Sequence, residues 1–343
     1  MRHLFYIHSP IARLLAHAII AHEQLGSTDV AFLTDRGQAV APPRTLDVSD
    51  WRWYPLRERA HNYAQLDRLD AWLDRQLGGG PLAFYLRHHL LSTLRAVVSH
   101  PRCVRFHYVE EGIDSYQSAA AHTAIHRLGP APLAQRLVAR FKYRGRIAAT
   151  RSFYAANDAR FADARGYGLS PDVFPDLPRK VLLPPPFPVE ERYRTIGHVL
   201  APSPESEVGY YPLEDQLAVI ARLLAYLERR GVDLLHIKFH PRQIGAGGSA
   251  AAFRALFGRW RDRLRVVELP PDTALESVAV SSEAAFYVGT SSVGLYAALC
   301  GRVVYSYADE LVRQNAVYAR IAERLPAAFH RAVIPLQLTA RPH

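Results

Sequence analysis

The sequence has little cysteine: Cys103 and Cys300 are the two cysteines in 343 residues. They lie far apart, and each adjoins a segment that we predict to be buried. We therefore expect reduced core thiols rather than a disulfide. Neither cysteine has the spacing of a metal-binding motif, which argues against a cysteine-based metal site.

Long apolar runs are missing as well. No stretch approaches the roughly twenty apolar residues that a membrane-spanning helix needs. The segment 2–7 resembles the start of a signal peptide, but His8, Pro10, Arg13 and His17 interrupt any uncharged apolar run after it. We expect a cytoplasmic protein, and peripheral attachment to the inner face of the membrane stays open.

Lysine is scarce, although the chain is basic. Only three of the 42 basic residues are lysine, and the 32 acidic residues leave a net charge of +10. This balance favours an anionic partner, and nucleic acid, a membrane surface and an acidic glycan all qualify. Lys238 stands two residues before His240, which hints that a compact ammonium group is needed there.

The length of the chain predicts two domains, because single cores stop growing at about 250–300 residues. The segment 182–188 has four prolines in seven residues, which favour extended backbone. We place the boundary there, with an N-terminal domain at 1–188 and a C-terminal domain at 189–343.

Both halves alternate apolar strand patterns with helical periodicity. In the first half the pattern predicts strands at 4–7, 30–33, 51–56 and 103–109, and helices at 11–25, 57–77, 81–98 and 115–151. In the second half it predicts strands at 196–200, 234–239, 264–268, 285–288 and 302–306, and helices at 213–230, 249–261, 273–281, 293–300 and 309–325. This alternation is typical of an α/β protein with parallel sheets covered on both faces.

One predicted strand turns basic at its carboxyl end. Leu235, Ile237 and Phe239 alternate with His236, Lys238 and His240, and Pro241 ends the strand. Open α/β sheets bind their ligands at this edge, so the sequence predicts an anion site here. A zinc site at His236 and His240 is disfavoured, because a strand does not bring residues four apart together as a helix does and no third ligand is evident.

A second segment has the features of a phosphate-binding turn. Gly289 follows the apolar strand 285–288, and Thr290 or Ser291 can cap the helix that follows, which Gly301 ends. A glycine turn that presents hydroxyl and backbone N–H groups at a helix start can bind an anion. A Ser/Thr cap after glycine is also common where a helix binds no ligand. The pattern therefore indicates an anion site only when it is taken together with Lys238 and His240.

Glu110, Glu111 and Gly112 follow the predicted strand 103–109. Two adjacent carboxylates point to opposite sides if the strand continues, so one of them can face a cleft and act as a general base. A solvated strand end is the structural alternative.

The segment 136–151 has six basic residues and no acid, interleaved with Phe141 and Tyr143. It fits anionic lipid, an acidic acceptor or simply a solvated face; we find no nucleic-acid-binding motif.

The ordered trio of an acidic-acidic-Gly triplet, a His-Pro dipeptide and a Ser-Ser pair resembles the bacterial sialyltransferases, which include lipooligosaccharide sialyltransferases and capsular polysialyltransferases. In this chain the trio is Glu110-Glu111-Gly112, His240-Pro241 and Ser291-Ser292. The resemblance implies a GT-B fold, with two Rossmann-like domains whose parallel sheets face a central cleft. It also implies inverting transfer from a CMP-activated nonulosonic acid without a metal ion or other cofactor.

The same resemblance implies roles for individual residues. Glu110 would deprotonate the acceptor hydroxyl, and its replacement of the more common aspartate leaves the choice between Glu110 and Glu111 open. His240 would stabilise or protonate the departing phosphate, and Ser291 and Ser292 would hydrogen-bond it. Lys238 would contact the nucleotide, and Glu276 would bind the ribose hydroxyls.

The acceptor would be an anionic glycan or glycolipid, and no nucleic acid is expected as a partner. Three alternatives remain. One is a Kdo or CDP-glycerol-type polymer transferase, because these also pair a His-Pro element with a later Ser-Ser helix start. The others are a sugar epimerase of similar fold and a non-enzymatic basic protein that binds nucleic acid or membrane.

Overall fold

The structure, a computed structural model, describes residues 1–36, 38, 40, 44–125, 133–147, 154 and 158–338. The chain divides into two compact units, Met1–Pro186 and Phe187–His343. The division falls within the proline-rich segment 182–188. Each unit contains one parallel sheet.

The first unit is built on a seven-stranded sheet. Its strands are β1 (Arg2–Ile7), β2 (Val30–Thr34), β3 (Thr45–Asp47), β4 (Leu82–Leu86), β5 (Cys103–Val109), β6 (Gly166–Gly168) and β7 (Lys180–Leu182). They lie in the order β3-β2-β1-β4-β5-β6-β7. The chain runs from β1 outward to β3 and then returns to the other side of β1, so the strand order reverses between β1 and β4.

The helices described in this unit are α1 (Pro10–His22), α2 (Arg59–Leu77), α3 (Ser92–Val98), α4 (Ala119–Ile125) and α5 (Leu133–Lys142). Ser9 caps α1, because its Oγ accepts a hydrogen bond from the N–H of Ala12 at 3.2 Å. Gly78 ends α2 in the left-handed conformation, with φ of 57°.

The second unit has a six-stranded sheet. Its strands are β8 (His198–Ala201), β9 (Leu234–Ile237), β10 (Arg265–Glu268), β11 (Ala285–Val288), β12 (Val304–Ser306) and β13 (Ile334–Pro335). They lie in the order β10-β9-β8-β11-β12-β13, so the order reverses between β8 and β11.

The helices described in the second unit are α6 (Leu213–Arg229), α7 (Pro241–Ile244), α8 (Ala250–Gly258), α9 (Leu275–Ser281), α10 (Val293–Leu299), α11 (Ala308–Gln314), α12 (Ala319–Ala322) and α13 (Ala327–Ala332). The apolar stripe of α6 lies in the core with β9. Val219, Leu223, Leu224 and Leu227 are all fully buried, at 0% exposure, in one cluster with Leu235. Burial of this stripe holds α6 on the sheet.

The two parallel sheets confirm the predicted fold class, α/β with two Rossmann-like domains as in GT-B proteins. Among the described residues, no helix is both long and apolar enough to cross a membrane.

The predicted strand at 51–56 was wrong, and the third strand is β3, earlier in the chain. Asn62 of α2 accepts a hydrogen bond from the N–H of Tyr54 at 2.8 Å and donates one to its carbonyl at 3.1 Å. A buried side chain thus satisfies backbone groups that a strand would pair with a neighbour.

The predicted helix at 81–98 was wrong in its first part, because this segment forms β4 and only then the helix α3. All five residues of β4 are buried. A central parallel strand is covered on both faces, so its apolar run lacks the alternation that identifies a half-buried strand.

Strands β6, β7 and β13 and helices α7 and α13 were not predicted. The other differences concern where elements begin, end or divide. The predicted helix 115–151 includes α4 and α5, while 126–132 and 148–151 lie outside the described residues. The predicted helix 309–325 is interrupted at Asn315, which has extended backbone and accepts a hydrogen bond from the N–H of Val317 at 3.1 Å. β9 ends at Ile237, two residues earlier than predicted.

We predict that Leu224→Ala in α6 lowers the stability of the second unit by about 2–5 kcal/mol, because it leaves a cavity at a fully buried position. The matched control is Leu299→Ala, since that leucine is 37% exposed. Calorimetry of the full chain measures both. Equal shifts of Tm in the two variants would contradict this assignment of the core.

Candidate functional site

In the second unit, the predicted site residues at 238–241 and 289–292 follow β9 and β11, which flank β8 in the sheet, and Glu276 lies in α9. β9, β8 and β11 are adjacent in the sheet. They lead into Lys238–Pro241, the loop Ser203–Glu207 and the turn Gly289–Ser292, respectively. Parallel sheets bind ligands at this edge, at the point where the strand order reverses.

His240 is the N-cap residue of α7. Its Nδ1 accepts a hydrogen bond from the N–H of Arg242 at 3.2 Å, and Pro241 follows in the first helical position. Because Nδ1 is an acceptor, the neutral ring carries its proton on Nε2. The exposed ring of His240 can therefore offer an N–H donor to a ligand.

Partial burial lowers the pKa of His240, and the positive charges of Arg242 and Lys238 lower it further. The imidazole is thus neutral at neutral pH. It acts there as a hydrogen-bond donor through Nε2 rather than as a cation.

Lys238 is the buried cation of this edge, at 8% exposure. Its Nζ donates a hydrogen bond to the carbonyl of Phe239 at 3.0 Å. Burial lowers the pKa of Lys238, while the charges of Asp272 and Glu276 oppose this shift. Glu276 itself lies in the first turn of α9, and burial raises its pKa.

Side chains pack closely around Gly289. A Cβ there would lie 3.3 Å from Oε1 of Glu205 and 3.4 Å from Oγ of Ser203. Ser291 Oγ accepts a hydrogen bond from the N–H of Val293 at 3.3 Å. The N-cap residue of α10 is nevertheless Ser292, whose side chain makes no capping hydrogen bond, so the predicted cap at Ser291 was wrong. Thr290 does not cap α10, and its hydroxyl donates to Glu205 instead, at 3.3 Å.

Glu205 is a buried carboxylate that our sequence analysis missed. It is 4% exposed. Its Oε1 accepts hydrogen bonds from Thr290 and from the hydroxyl of Tyr318 at 3.0 Å, and its Oε2 accepts one from Nε2 of Gln216 at 2.9 Å. Burial raises the pKa of Glu205, and the hydrogen bonds from Tyr318 and Thr290 oppose that rise.

The loop that carries Glu205 also holds the His240 turn. The carbonyl of Ser203 accepts hydrogen bonds from Nε2 of Gln216 at 2.9 Å and from Nε2 of Gln243 at 3.4 Å. The other end of the Gln243 amide accepts from the N–H of His240 at 2.9 Å. A continuous network thus links the His-Pro turn to the Gly-Thr-Ser-Ser turn. The capping-box spacing of His240 and Gln243 was the sequence signal that could have revealed this partner.

In the first unit, Glu110 is fully buried beyond the end of β5. Its Oε1 accepts a hydrogen bond from the hydroxyl of Tyr116 at 2.7 Å, and its Oε2 accepts one from the N–H of Leu169 at 2.7 Å. Gly168 leaves room for this carboxylate, because a Cβ there would lie 2.7 Å from Oε2. Glu110 therefore joins the ends of β5 and β6.

Glu111 has different partners, Arg87 and His8, which the sequence did not suggest as site residues. We call these three residues the Glu111 clamp. Both oxygens of Glu111 accept hydrogen bonds from Nη1 of Arg87 at 2.6 Å, and Oε1 also contacts Nε2 of His8. Burial would raise the pKa of Glu111, but His8 and Arg87 outweigh it and lower the pKa to about 2. Glu111 is consequently ionised at neutral pH.

The clamp lies where ligand sites are expected in such a sheet. His8 follows β1, Arg87 follows β4 and Glu111 lies just beyond β5, while the strand order reverses between β1 and β4. Gly112 is left-handed, with φ of 63°, and starts the 3-10 turn Gly112–Tyr116. A turn therefore follows the acidic pair directly.

The described residues contain no group of three His, Cys, Asp or Glu side chains that could hold a metal ion.

We predict that the Glu111 clamp makes stability depend on pH. The pKa of Glu111 lies below its ordinary value of 4.5, so its contribution is present above about pH 4.5 and is lost as pH falls toward 2. A shift of this size corresponds to roughly 3 kcal/mol at pH 7. Glu111→Gln should therefore lower Tm at pH 7, and its difference from wild type should shrink below pH 4.5.

The control for this measurement is Glu191→Gln. Glu191 forms an ion pair with Arg194 and its side chain is 81% exposed, so little effect is expected at any pH. Thermal unfolding from pH 3 to pH 8 tests both variants. A difference between wild type and Glu111→Gln that stayed constant with pH would refute the electrostatic origin.

Comparisons of the sequence with protein-family models and with curated proteins give no match. Comparison of the structure with solved structures gives several. UDP-GlcNAc 2-epimerase from Methanocaldococcus jannaschii matches with a TM-score of 0.54 and 10% identity, over 99% of this chain and 89% of that chain.

Two further matches are more distant. UDP-GlcNAc 2-epimerase from Neisseria meningitidis bound to UDP-GlcNAc has a TM-score of 0.49 and 9% identity, over 97% of this chain and 94% of that chain. WaaG, a glycosyltransferase involved in lipopolysaccharide biosynthesis, has a TM-score of 0.42 and 14% identity, over 96% of this chain and 93% of that chain. The archaeal epimerase shows that the fold of this chain is that of a two-domain Rossmann-like protein over nearly its whole length.

Proposed function

We propose that this chain is an inverting, metal-independent glycosyltransferase that moves sialic acid, or a related nonulosonic acid, from a CMP-activated donor to a cell-surface glycan. The observation that carries the proposal is the network that joins His240 to the turn Gly289–Ser292. It passes through Gln243, Ser203, Gln216 and Glu205. It brings the His-Pro and Ser-Ser signatures to one edge of one sheet.

The chemistry of a CMP leaving group fits the groups at this edge. The acceptor oxygen attacks the anomeric carbon, and the bond from that carbon to the phosphate oxygen breaks with its electron pair on the phosphate. Donors placed at the departing phosphate stabilise this charge. Nε2–H of His240 and the hydroxyls of Ser291 and Ser292 are the donors that we assign to it.

Lys238 and Glu276 are assigned to the nucleotide. Lys238 supplies a positive charge at the end of β9, in a position that favours an anion. Glu276 carries the oxygens that would accept hydrogen bonds from the ribose hydroxyls. Both assignments come from the resemblance to bacterial sialyltransferases.

The proton of the acceptor hydroxyl goes to Glu110, which the resemblance assigns as the base. Hydrogen bonds to both carboxylate oxygens fix its position. Glu111 is assigned the supporting role, since its ion pair with Arg87 makes it a weaker base.

His240→Asn tests the assignment at the phosphate. Asparagine can still cap α7, but it lacks the Nε2–H donor. We expect wild type to release CMP from CMP-sialic acid in EDTA with a suitable acceptor glycan, and the variant to be slower in kcat by about 10²–10³. His330→Asn, at an exposed position in α13, is the control and should keep wild-type rates.

Parallel assays with CMP-Kdo, CDP-glycerol and UDP-GlcNAc show whether another donor is preferred. Absence of CMP release, together with no thermal stabilisation by CMP, would remove the donor assignment. Epimerisation of UDP-GlcNAc, without activity on the other donors, would instead favour the epimerase alternative.

Glu110→Gln and Glu111→Gln test the assignment of the base. We expect Glu110→Gln to reduce kcat by about 10²–10⁴, since a general base contributes that much. The remaining rate of this variant should rise little with pH, because the base that titrates is gone. Glu111→Gln should act mainly through stability. The rates are compared at temperatures where unfolding curves show each variant to be folded, and a loss confined to Glu111→Gln would transfer the role of base to Glu111.

A further inference from the structure

Helix α5 has an outward-facing apolar surface. Leu133, Leu137, Val138 and Phe141 are 72%, 50%, 44% and 61% exposed, although a helix of a water-soluble unit normally buries its apolar face. Leu133, Leu137 and Phe141 are spaced four residues apart and form one row along the helix. Val138, with the exposed Ala134, forms the adjacent row.

The opposite side of α5 is attached to the protein. Ala139 is buried, and the helix packs on α2 and on the 3-10 turn Leu56–Glu58. Tyr63 of α2 donates a hydrogen bond to the carbonyl of Phe141, and Asn62 donates one to the carbonyl of Lys142 at 3.5 Å. Just after the helix, Arg144 pairs with Asp67 at 2.6 Å. These contacts hold the apolar rows outward.

Cations flank the apolar rows on both sides. At 3.6 residues per turn, Arg136 and Arg140 border one side of the rows, and Lys142 borders the other. The segment 133–147 has no acidic residue. A helix with an outward apolar face between basic edges is suited to the boundary between lipid headgroups and acyl chains.

We propose that α5 docks this protein on a membrane surface rich in anionic phospholipid. The apolar rows would enter the headgroup region, and the flanking cations would contact lipid phosphates. A second copy of the chain fits less well, because like charges would meet along both edges. Nucleic acid would leave the apolar rows without a partner. The proposal does not depend on the identity of the sugar donor.

Flotation with vesicles tests the proposal on the full-length protein. Vesicles of phosphatidylcholine alone are compared with vesicles that contain about one third phosphatidylglycerol. We expect binding to the anionic vesicles and a loss of about tenfold or more in Leu137→Gln/Phe141→Gln. Arg136→Gln/Arg140→Gln should lose about 30-fold, since each cation near an anionic surface contributes about fivefold.

The matched control is Val189→Gln/Val317→Gln, which replaces two exposed valines outside α5. It should bind like wild type. Absence of vesicle binding by wild type, or equal binding by the control and both α5 variants, would overturn the proposal. So would light scattering that showed the apolar α5 variant to be monomeric and wild type to be a dimer. CMP release from a water-soluble acceptor, measured separately, reports on the proposed reaction and not on docking.

Discussion

The second unit depends on the hydrogen bonds of one loop, Ser203–Glu207. Its carboxylate at Glu205 is buried among neutral donors, and a buried polar group that loses a partner bears the full cost of desolvation. The neighbouring carbonyl of Ser203 holds Gln243, which in turn holds the backbone of His240. The turns after β9 and β11 are therefore fixed relative to each other by the loop after β8, the strand that lies between β9 and β11.

The first unit also has a buried carboxylate at the carboxyl edge of its sheet, but there the charge is balanced by a cation. Glu111 contacts residues that follow β1 and β4, where the strand order reverses: its charge is balanced by the guanidinium of Arg87, and His8 hydrogen-bonds it. The ion pair keeps the carboxylate charged despite its burial. Residues from three strand ends then form one cluster, because the carboxyl ends of parallel strands meet at the same edge.

Regular patterns made much of the fold predictable from the sequence. The helix at 213–229 and the strand at 103–109 have clear periodicity, and the prediction found both. β6 could not be found, because it has glycine at both ends, and each glycine is needed for close packing against Val173 or Phe174. The acidic pair and the His-Pro dipeptide were visible as motifs. Arg87 and Glu205 were not, since their partners lie far along the chain and only the tertiary structure brings them together.

The charge state of Glu205 bears on the kind of ligand that the second unit can accept. A carboxylate beside the turn Gly289–Ser292 would repel a phosphate if it were fully ionised in a low-dielectric site. Burial raises the pKa of Glu205, and the hydrogen bonds from Tyr318 and Thr290 oppose that rise while they keep the turn in place. A cation beside Glu205 would remove this effect, since it would hold the carboxylate in its charged form. Lys238 supplies a positive charge at the same edge of the sheet, where we propose that the CMP phosphate binds.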